Sequence, residues 1–161
     1  MTPLLTETLP PPQLEHVCDL AVTIAPPIEV GHTPAGLRRV IPITGGTVTG
    51  PRLSGKILAS GADFQLILGG GTQAHLDARY VIELDDGTRV FVQNTALRFA
   101  SIENSQRIMH GEPVNPADIY FRCQPKMDAA GEQWAWLSES QFIGSGRRAP
   151  DGVFLSFYRV L

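Results

Sequence analysis

Short runs of alternating apolar and polar residues follow one another along almost the whole chain, and glycine or proline separates each run from the next. In residues 14–24 the alternation continues until Pro26 and Pro27 end it. A period of two residues is typical of strands that bury one face. The chain holds 16 glycines and 13 prolines among 161 residues, which fits many turns and short elements. The predicted strands cover residues 14–24, 28–31, 39–43, 47–49, 53–59, 64–68, 76–84, 88–99, 120–125, 134–138, 141–144 and 152–160.

A β-hairpin and a helix are the clearest local elements. Residues 76–84 and 88–99 both alternate, and Asp85-Asp86-Gly87 between them is a turn signal, because glycine accepts the positive φ of a tight hairpin. Residues 101–111 predict one short helix, which Ser101 caps and Gly111 ends.

The order of the elements restricts the fold class. A parallel sheet needs crossover helices between its strands, and this sequence does not supply them. An antiparallel sandwich or barrel remains, and the glycine-rich corners favour a single closed antiparallel β-barrel with one short helix. We expect residues 1–13, which end in three prolines, to form a flexible N-terminal arm, and residues 14–161 to form the barrel domain.

Composition and motifs exclude several function classes. The net charge is −3 and the pI is near 5.8, which argues against a nucleic-acid partner. Cys18 and Cys123 lack metal-ligand spacing, the four histidines are scattered, and no nucleotide-binding glycine motif occurs. We therefore expect no metal and no cofactor. The N-terminus does not resemble a signal peptide and no apolar run could span a bilayer, so we expect a cytoplasmic protein without a membrane partner.

Alternation places polar side chains together on one possible surface of the central strands. These residues are Asp63, Gln65, Asp77, Arg79, Glu83 and Asn94. One interpretation is that this surface faces water, as one face of an antiparallel sheet often does. The other is that it faces the barrel interior, where charges must be paired because isolated buried charges are costly.

The interior interpretation carries a chemical hypothesis. Asp63 or Glu83 would act as the acid/base group, since a carboxylate in excess over its arginine partner acquires a raised pKa. Arg79 would pair with the carboxylate and stabilise an enolate, phenolate or carboxylate. Gln65, Asp77 and Asn94 would bind and orient the ligand.

Aromatic residues near the C-terminal strands allow two interpretations. Trp136 lies in one predicted strand, and Tyr120 and Arg122 share a face of another. Packing in the core is one role for such side chains. Lining a mostly apolar ligand pocket is the other.

An ordered series of short motifs resembles the DUF3237 (UPF0311) family. The motifs are Gly31-His32-Thr33-Pro34-Ala35-Gly36, Ile43-Thr44-Gly45-Gly46, Gly50-Pro51, Gly55-Lys56, Gly61-Ala62-Asp63, Ala78-Arg79-Tyr80, Asp85-Asp86-Gly87, Tyr120-Phe121-Arg122, Trp136-Leu137 and Phe142-Ile143-Gly144. The resemblance covers residues 14–161.

This resemblance implies a small barrel similar to calycins and allene-oxide cyclases, present as a homo-oligomer, most simply a dimer. It implies no common reaction. The positions that recur in the family correspond here to Asp63, Arg79, Asp86, Gly87, Asn94, Tyr120 and Arg122. Two departures are Phe64, where the family often has Trp, and Ala96, where Gly often follows the Asn.

Three functions are compatible with these features. The first is a cofactor-independent isomerase, cyclase or lyase that acts on a small hydrophobic or aromatic metabolite through a carboxylate–arginine pair. The second is a lipocalin-like protein that binds a small hydrophobic ligand without chemistry. The third is an interaction module in which the polar surface is only an ion-pair network.

Overall fold

The computed structural model of the chain describes residues 7–161. These residues form antiparallel strands and one α-helix. The strands are β1 (Leu14–Ile24), β2 (Ile28–Thr33), β3 (Gly36–Thr49), β4 (Gly55–Ile57), β5 (Gly61–Leu68), β6 (Gln73–Leu84), β7 (Arg89–Phe99), β8 (Tyr120–Ala129), β9 (Phe142–Ala149) and β10 (Gly152–Val160). The helix is α1 (Ile102–Met109), and short 3₁₀ helices cover Gly69–Gly71, Pro116–Asp118 and Glu132–Leu137.

The sheet closes on itself through β1, which pairs with both β10 and β3. From β10 the ring continues through β9, β8, β7 and β6, and it returns to β3 through β5 and β4. β4 and β5 occupy one position of the ring, because both bridge β6 and β3, so the barrel has eight positions. Among the strands of residues 7–161, β2 pairs with β3 alone. The predicted closed antiparallel β-barrel is confirmed.

The two predicted local elements are present. The backbone N–H of Leu84 donates to the Thr88 carbonyl at 2.8 Å, which closes the β6–β7 turn, and Gly87 has a φ of +87°. Helix α1 begins at Ile102, and the Ser101 hydroxyl accepts a hydrogen bond from the Asn104 N–H at 3.1 Å. That bond satisfies one of the free donors of the first turn.

One predicted strand is wrong, and several have different limits: residues 39–43 and 47–49 belong to the single strand β3, and of residues 53–59 only Gly55–Ile57 form a strand. Residues 134–138 were expected to be extended, but Glu132–Leu137 forms a 3₁₀ helix after Gly131, whose φ is +108°. Leu137 is fully buried in this helix and packs into the barrel core. Packing against the end of the barrel therefore overrides the strand propensity of Trp134 and Trp136.

The N-terminal arm that we expected over residues 1–13 lies in part outside the described residues. Residues 7–13 carry no helix or strand, and β1 begins at Leu14. Within residues 7–161, no helix has the length and apolar character needed to cross a membrane.

The two ends of the barrel differ in the side chains that fill them. At one end, where β8 leads into the 3₁₀ helix Glu132–Leu137, the interior is closed by apolar side chains that include Val17, Leu53, Leu137 and Phe157. At the other end β7 leads into α1 and β9 leads into β10, and here polar side chains point inward. We call this second end the open end. It contains the candidate site.

Candidate functional site

A hollow of about 60 Å³ lies inside the barrel towards the open end. Every ring strand except β4 contributes to its wall. Most of the wall is apolar, and the polar or charged residues that line it are Asp63, Gln65, Tyr80, Asn94, Arg98 and Arg148. An apolar hollow with a few convergent polar groups is typical of a small-molecule site.

Asp63 is the carboxylate of this hollow. One of its oxygens accepts a hydrogen bond from the Gln65 Nε2 at 2.9 Å, and the other accepts from the backbone N–H of Asp77 at 3.1 Å. Burial nevertheless raises the pKa of Asp63 above its usual value, because removal from water disfavours the charged form. The two hydrogen bonds and the positive charge of Arg98 oppose this rise. Asp63 is thus oriented by two donors and able to hold a proton.

Three polar atoms in the wall of the hollow have no partner among residues 7–161. They are the Gln65 Oε1, the Tyr80 hydroxyl and the Asn94 Oδ1, and all three are shielded from solvent. Burial raises the pKa of Tyr80 well above its usual value, so its hydroxyl stays protonated and can donate. Buried polar groups in proteins are normally hydrogen-bonded. These atoms therefore mark a place where a bound molecule can supply the missing partners.

Arg98 and Arg148 lie where the hollow meets a second space. A cleft of about 300 Å³ opens between α1, residues 111–119 and the β9–β10 hairpin, and both arginines line it together with Phe121. Arg98 is only 6% exposed. Burial and the charge of Arg148 lower the pKa of Arg98 to about 10, while Asp63 raises it. Both arginines thus lie in the wall that the hollow and the cleft share.

The predicted interior position of Asp77, Arg79 and Glu83 is wrong. Asp63 lies directly opposite Ala78, and directly opposed residues of an antiparallel pair point to the same face of the sheet. Ala78 therefore faces the interior with Asp63, and its neighbours Asp77 and Arg79 face outward. For β6 the correct interpretation is the one in which this polar surface faces water.

These three outward residues are partnered on the outer wall. The Arg79 Nη2 contacts the Asp77 Oδ2 at 3.2 Å, and the Arg79 side chain is 54% exposed. Glu83 contacts Lys56 at 3.3 Å and Arg89 at 3.2 Å, and the hydrogen bond from Arg89 is the main cause that lowers its pKa. The expected Asp63–Arg79 pair does not form, and Glu83 does not line the hollow.

The structure separates the other predicted ligand-binding residues from Asp63. Tyr120 and Arg122 lie on the outer side of β8, where the Arg122 guanidinium stacks 5.5 Å from the centre of the Tyr120 ring. Trp136 lies at the closed end, with Arg52 at 4.5 Å from its ring centre. Only Gln65 and Asn94 of the predicted ligand-binding residues line the hollow.

The sequence interpretation missed Tyr80, Arg98 and Arg148. Val90, Val92 and Asn94 were assigned to one face of β7, and two more alternations along the same strand lead to Arg98. Tyr80 was grouped with the apolar face of β6, which is indeed the inner face. Arg148 gave no comparable signal, because the predicted strand ended at Gly144 whereas β9 continues to Ala149. Among residues 7–161, no group of three or more His, Cys, Asp or Glu side chains is placed to hold a metal ion.

Comparison with known proteins gives consistent results along the whole chain. The family model described as "Protein of unknown function (DUF3237)" matches residues 12–160. A UPF0311 protein from Rhodopseudomonas palustris is 39% identical over 157 residues, which are 98% of this chain and 100% of that protein.

Two solved structures show the same fold. The crystal structure of a conserved protein of unknown function from Rhodopseudomonas palustris has a TM-score of 0.89 and 37% identity, and the match covers 95% of this chain and 100% of that one. An enzyme from Penicillium herquei has a TM-score of 0.72 at 19% identity, over 98% of this chain and 100% of that one. The second likeness shows a shared fold alone.

Proposed function

The chain belongs to the DUF3237 family, and we propose that it is a cofactor-independent acid/base enzyme that converts a small organic molecule inside the barrel, with Asp63 as the group that moves the proton. The observation that carries this proposal is the partly buried Asp63 carboxyl, which has a raised pKa and lines the hollow together with residues that have unpartnered polar atoms. Buried carboxyl groups of this kind are enriched at catalytic sites. The enzyme from Penicillium herquei that shares the fold is compatible with a catalytic use of such a barrel.

Asp63 would act in two successive proton transfers. Its carboxylate takes a proton from a carbon or oxygen of the substrate, and the resulting carboxylic acid returns the proton to another atom of the same molecule. Gln65 and the backbone N–H of Asp77 hold the carboxyl in one orientation during both steps. Isomerisation and cyclisation need nothing else, and a lyase reaction adds the departure of a leaving group.

Arg98 replaces Arg79 as the group that stabilises the developing anion. Arg98 lines the same hollow as Asp63, interacts with it electrostatically and is almost fully buried, so a negative charge on the substrate would interact with the guanidinium in a poorly solvated environment. The Tyr80 hydroxyl and the Asn94 and Gln65 side chains would orient the substrate through their free polar atoms.

A non-catalytic, lipocalin-like carrier is the second candidate. The mostly apolar wall of the hollow and its unpartnered polar atoms would also suit a stored ligand. In such a carrier the raised pKa of Asp63 would be a result of burial without a role in chemistry.

The experiment compares Asp63→Asn with Asp77→Asn, a matched change on the outer wall. Molecules that co-purify with the Asp63→Asn protein are identified by mass spectrometry and then incubated in D₂O with each protein. We expect wild type and Asp77→Asn to convert a retained molecule with deuterium incorporation, and Asp63→Asn to bind it without conversion. Binding by all three proteins without conversion would favour the carrier.

The predicted homo-oligomer and the predicted cytoplasmic location stay predictions. Phe99, Tyr120 and Leu97 are exposed apolar side chains on the outer face of β7 and β8, which is compatible with association. Analytical ultracentrifugation measures the oligomeric state, and cell fractionation measures the location.

A further inference from the structure

Three arginine side chains from different strands converge near the open end of the barrel. Arg39 on β3, Arg98 on β7 and Arg148 on β9 all point inward, and Arg39 lies directly opposite Gln65. Arg39 and Arg98 are 4% and 6% exposed. The charges of Arg39 and Arg148 lower the pKa of Arg98, and the charge of Arg39 also lowers the pKa of Arg148. The barrel therefore concentrates positive charge around the exit of the hollow.

The carboxylates near this cluster do not balance its charge. Arg39 donates from its Nε to the Glu29 Oε1 at 2.8 Å, and Asp63 faces Arg98 and Arg148. Even when both carboxylates are ionised, two negative charges lie near three guanidinium groups, which leaves at least one positive charge in excess. Glu112 on the rim of the cleft is exposed and forms no ion pair with the cluster.

Donor groups of the cluster are also free. The Nη1 of Arg39 is buried without a partner. Among residues 7–161, the side chains of Arg98 and Arg148 form no hydrogen bond or ion pair, although both residues pair through their backbones with the neighbouring strands. A buried guanidinium without a hydrogen-bonded anion is costly, and carboxylates satisfy its planar donors well. The arrangement has the charge and the free donors that one singly charged anion requires.

We propose that the open end binds the carboxylate of a small organic acid between Arg98 and Arg148, with the apolar body of the acid in the adjoining cleft. The inference rests on the proposed function, for which it names the substrate class. An apolar body is favoured because Ile108, Val114, Ile119 and Phe154 line the cleft. The hollow of about 60 Å³ has room for the reacting end of a metabolite next to Asp63, whereas the adjoining cleft of about 300 Å³ reaches the lower range of ligand pockets and has room for the rest of the molecule.

The test uses benzoate and benzamide, which have nearly the same shape and differ in charge. Calorimetric titration at millimolar concentrations measures both against wild type. We expect benzoate to bind at least about tenfold more tightly than benzamide, because only benzoate neutralises the excess charge. Equal binding of the two, or no binding of benzoate, would overturn the inference. Binding of inorganic phosphate as tight as that of benzoate would also overturn it, because the apolar body would then contribute nothing.

Substitutions of the arginines and of Asp63 should change the affinity for benzoate in opposite directions. Arg98→Gln and Arg148→Gln should each weaken it about tenfold or more, whereas Asp63→Asn should strengthen it by removing a nearby negative charge. Arg79→Gln on the outer wall should leave it unchanged. Should an arginine variant fail to fold, the Arg98 and Arg148 Nε–H resonances of wild type are followed by NMR, and we expect both to shift on addition of benzoate. Unshifted resonances, or an Asp63→Asn protein with weaker affinity, would contradict the assignment.

This test separates the anion site from the proposed chemistry. A protein that binds benzoate as described but never converts a retained molecule has the anion site without the acid/base function. If Asp63 is needed for conversion but Arg98 and Arg148 do not bind benzoate, the protein has the acid/base function and its substrate is not an organic acid.

Discussion

Asp63 and Arg98 face the same hollow from strands on either side of β6, yet no hydrogen bond or ion pair among residues 7–161 joins them directly. The carboxyl is hydrogen-bonded to Gln65 and to the backbone of Asp77 instead. The acid/base group Asp63 and the cation Arg98 thus interact electrostatically without a direct contact between them. A ligand that enters the space can contact both groups at once.

The raised pKa of Asp63 predicts how stability depends on pH. The folded chain holds the Asp63 proton more tightly than the unfolded chain, whose pKa is near 3.8. The corresponding stabilisation is fully present below that value and is lost as the pH rises through the raised pKa. The free energy of unfolding of wild type should therefore fall relative to that of Asp63→Asn over this interval. Urea unfolding across the acidic to neutral range measures the difference.

Asp19 supplies a control of opposite sign. Its pKa is lowered, chiefly because the Ser156 hydroxyl donates to it, so its stabilisation is present above the usual value of 3.8 and is lost as the pH falls. Relative to Asp19→Asn, wild type should lose stability on acidification. A difference curve for Asp63→Asn with the same sign as that for Asp19→Asn would contradict the burial of Asp63.

A second prediction concerns which arginine acts on Asp63. Arg98→Gln removes a positive charge that opposes the rise in the Asp63 pKa, so this pKa should increase further. Arg79→Gln removes a charge on the outer wall, where the Arg79 side chain is 54% exposed and paired with Asp77. This substitution should leave the Asp63 pKa unchanged. Carbon-detected NMR of the Asp63 carboxyl over a pH series measures both. A shift caused by Arg79→Gln alone would restore the pairing that the sequence suggested.

The sequence predicts the strands and the barrel well because both depend on local patterns. Alternation and the Asp85-Asp86-Gly87 turn specify the β6–β7 hairpin, and the lack of crossover helices leaves an antiparallel sheet that closes. Which charged side chains lie next to Asp63 depends on the register between β5 and β6. The alternation of apolar and polar residues does not specify this register. A shift of one residue between β5 and β6 exchanges Ala78 with Arg79 on the inner face, and the sequence pattern is the same in both cases.

Arg148 was missed for a different physical reason. Gly144 was interpreted as the end of a strand, but β9 continues through it and through Gly146 to Ala149. A Cβ at Gly146 would lie 2.6 Å from the Phe121 ring, so this glycine permits a close approach of that ring and does not form a turn. A close contact between residues of two neighbouring strands leaves no local signal in a single sequence.

Tyr80→Phe should cost little stability in the absence of a ligand. The Tyr80 hydroxyl is buried without a partner, and removing an unsatisfied polar group relieves a desolvation penalty, so we expect a change within about 0.5 kcal/mol or a gain in stability. If the hydroxyl contacts the ligand, the same variant should weaken binding of the molecule retained by Asp63→Asn. Urea unfolding and calorimetry measure the two effects. A loss of more than about 1 kcal/mol would show that the hydroxyl has a partner in the folded chain.

The N-cap of α1 should contribute to the stability of the wall of the cleft. Ile108 of this helix lines the cleft, and the Ser101 hydroxyl accepts the Asn104 N–H at the first turn. Ser101→Ala removes the acceptor and should cost about 1 kcal/mol, which corresponds to a Tm lower by about 2–4 °C in a domain of this size. Ser101→Asp keeps an acceptor and adds a negative charge at the positive end of the helix, so it should retain the wild-type Tm or exceed it. Differential scanning calorimetry measures the three proteins, and amide hydrogen exchange should show faster exchange in α1 for Ser101→Ala alone. Equal Tm values and equal exchange in Ser101→Ala and Ser101→Asp would mean that the cap does not hold this helix against the cleft.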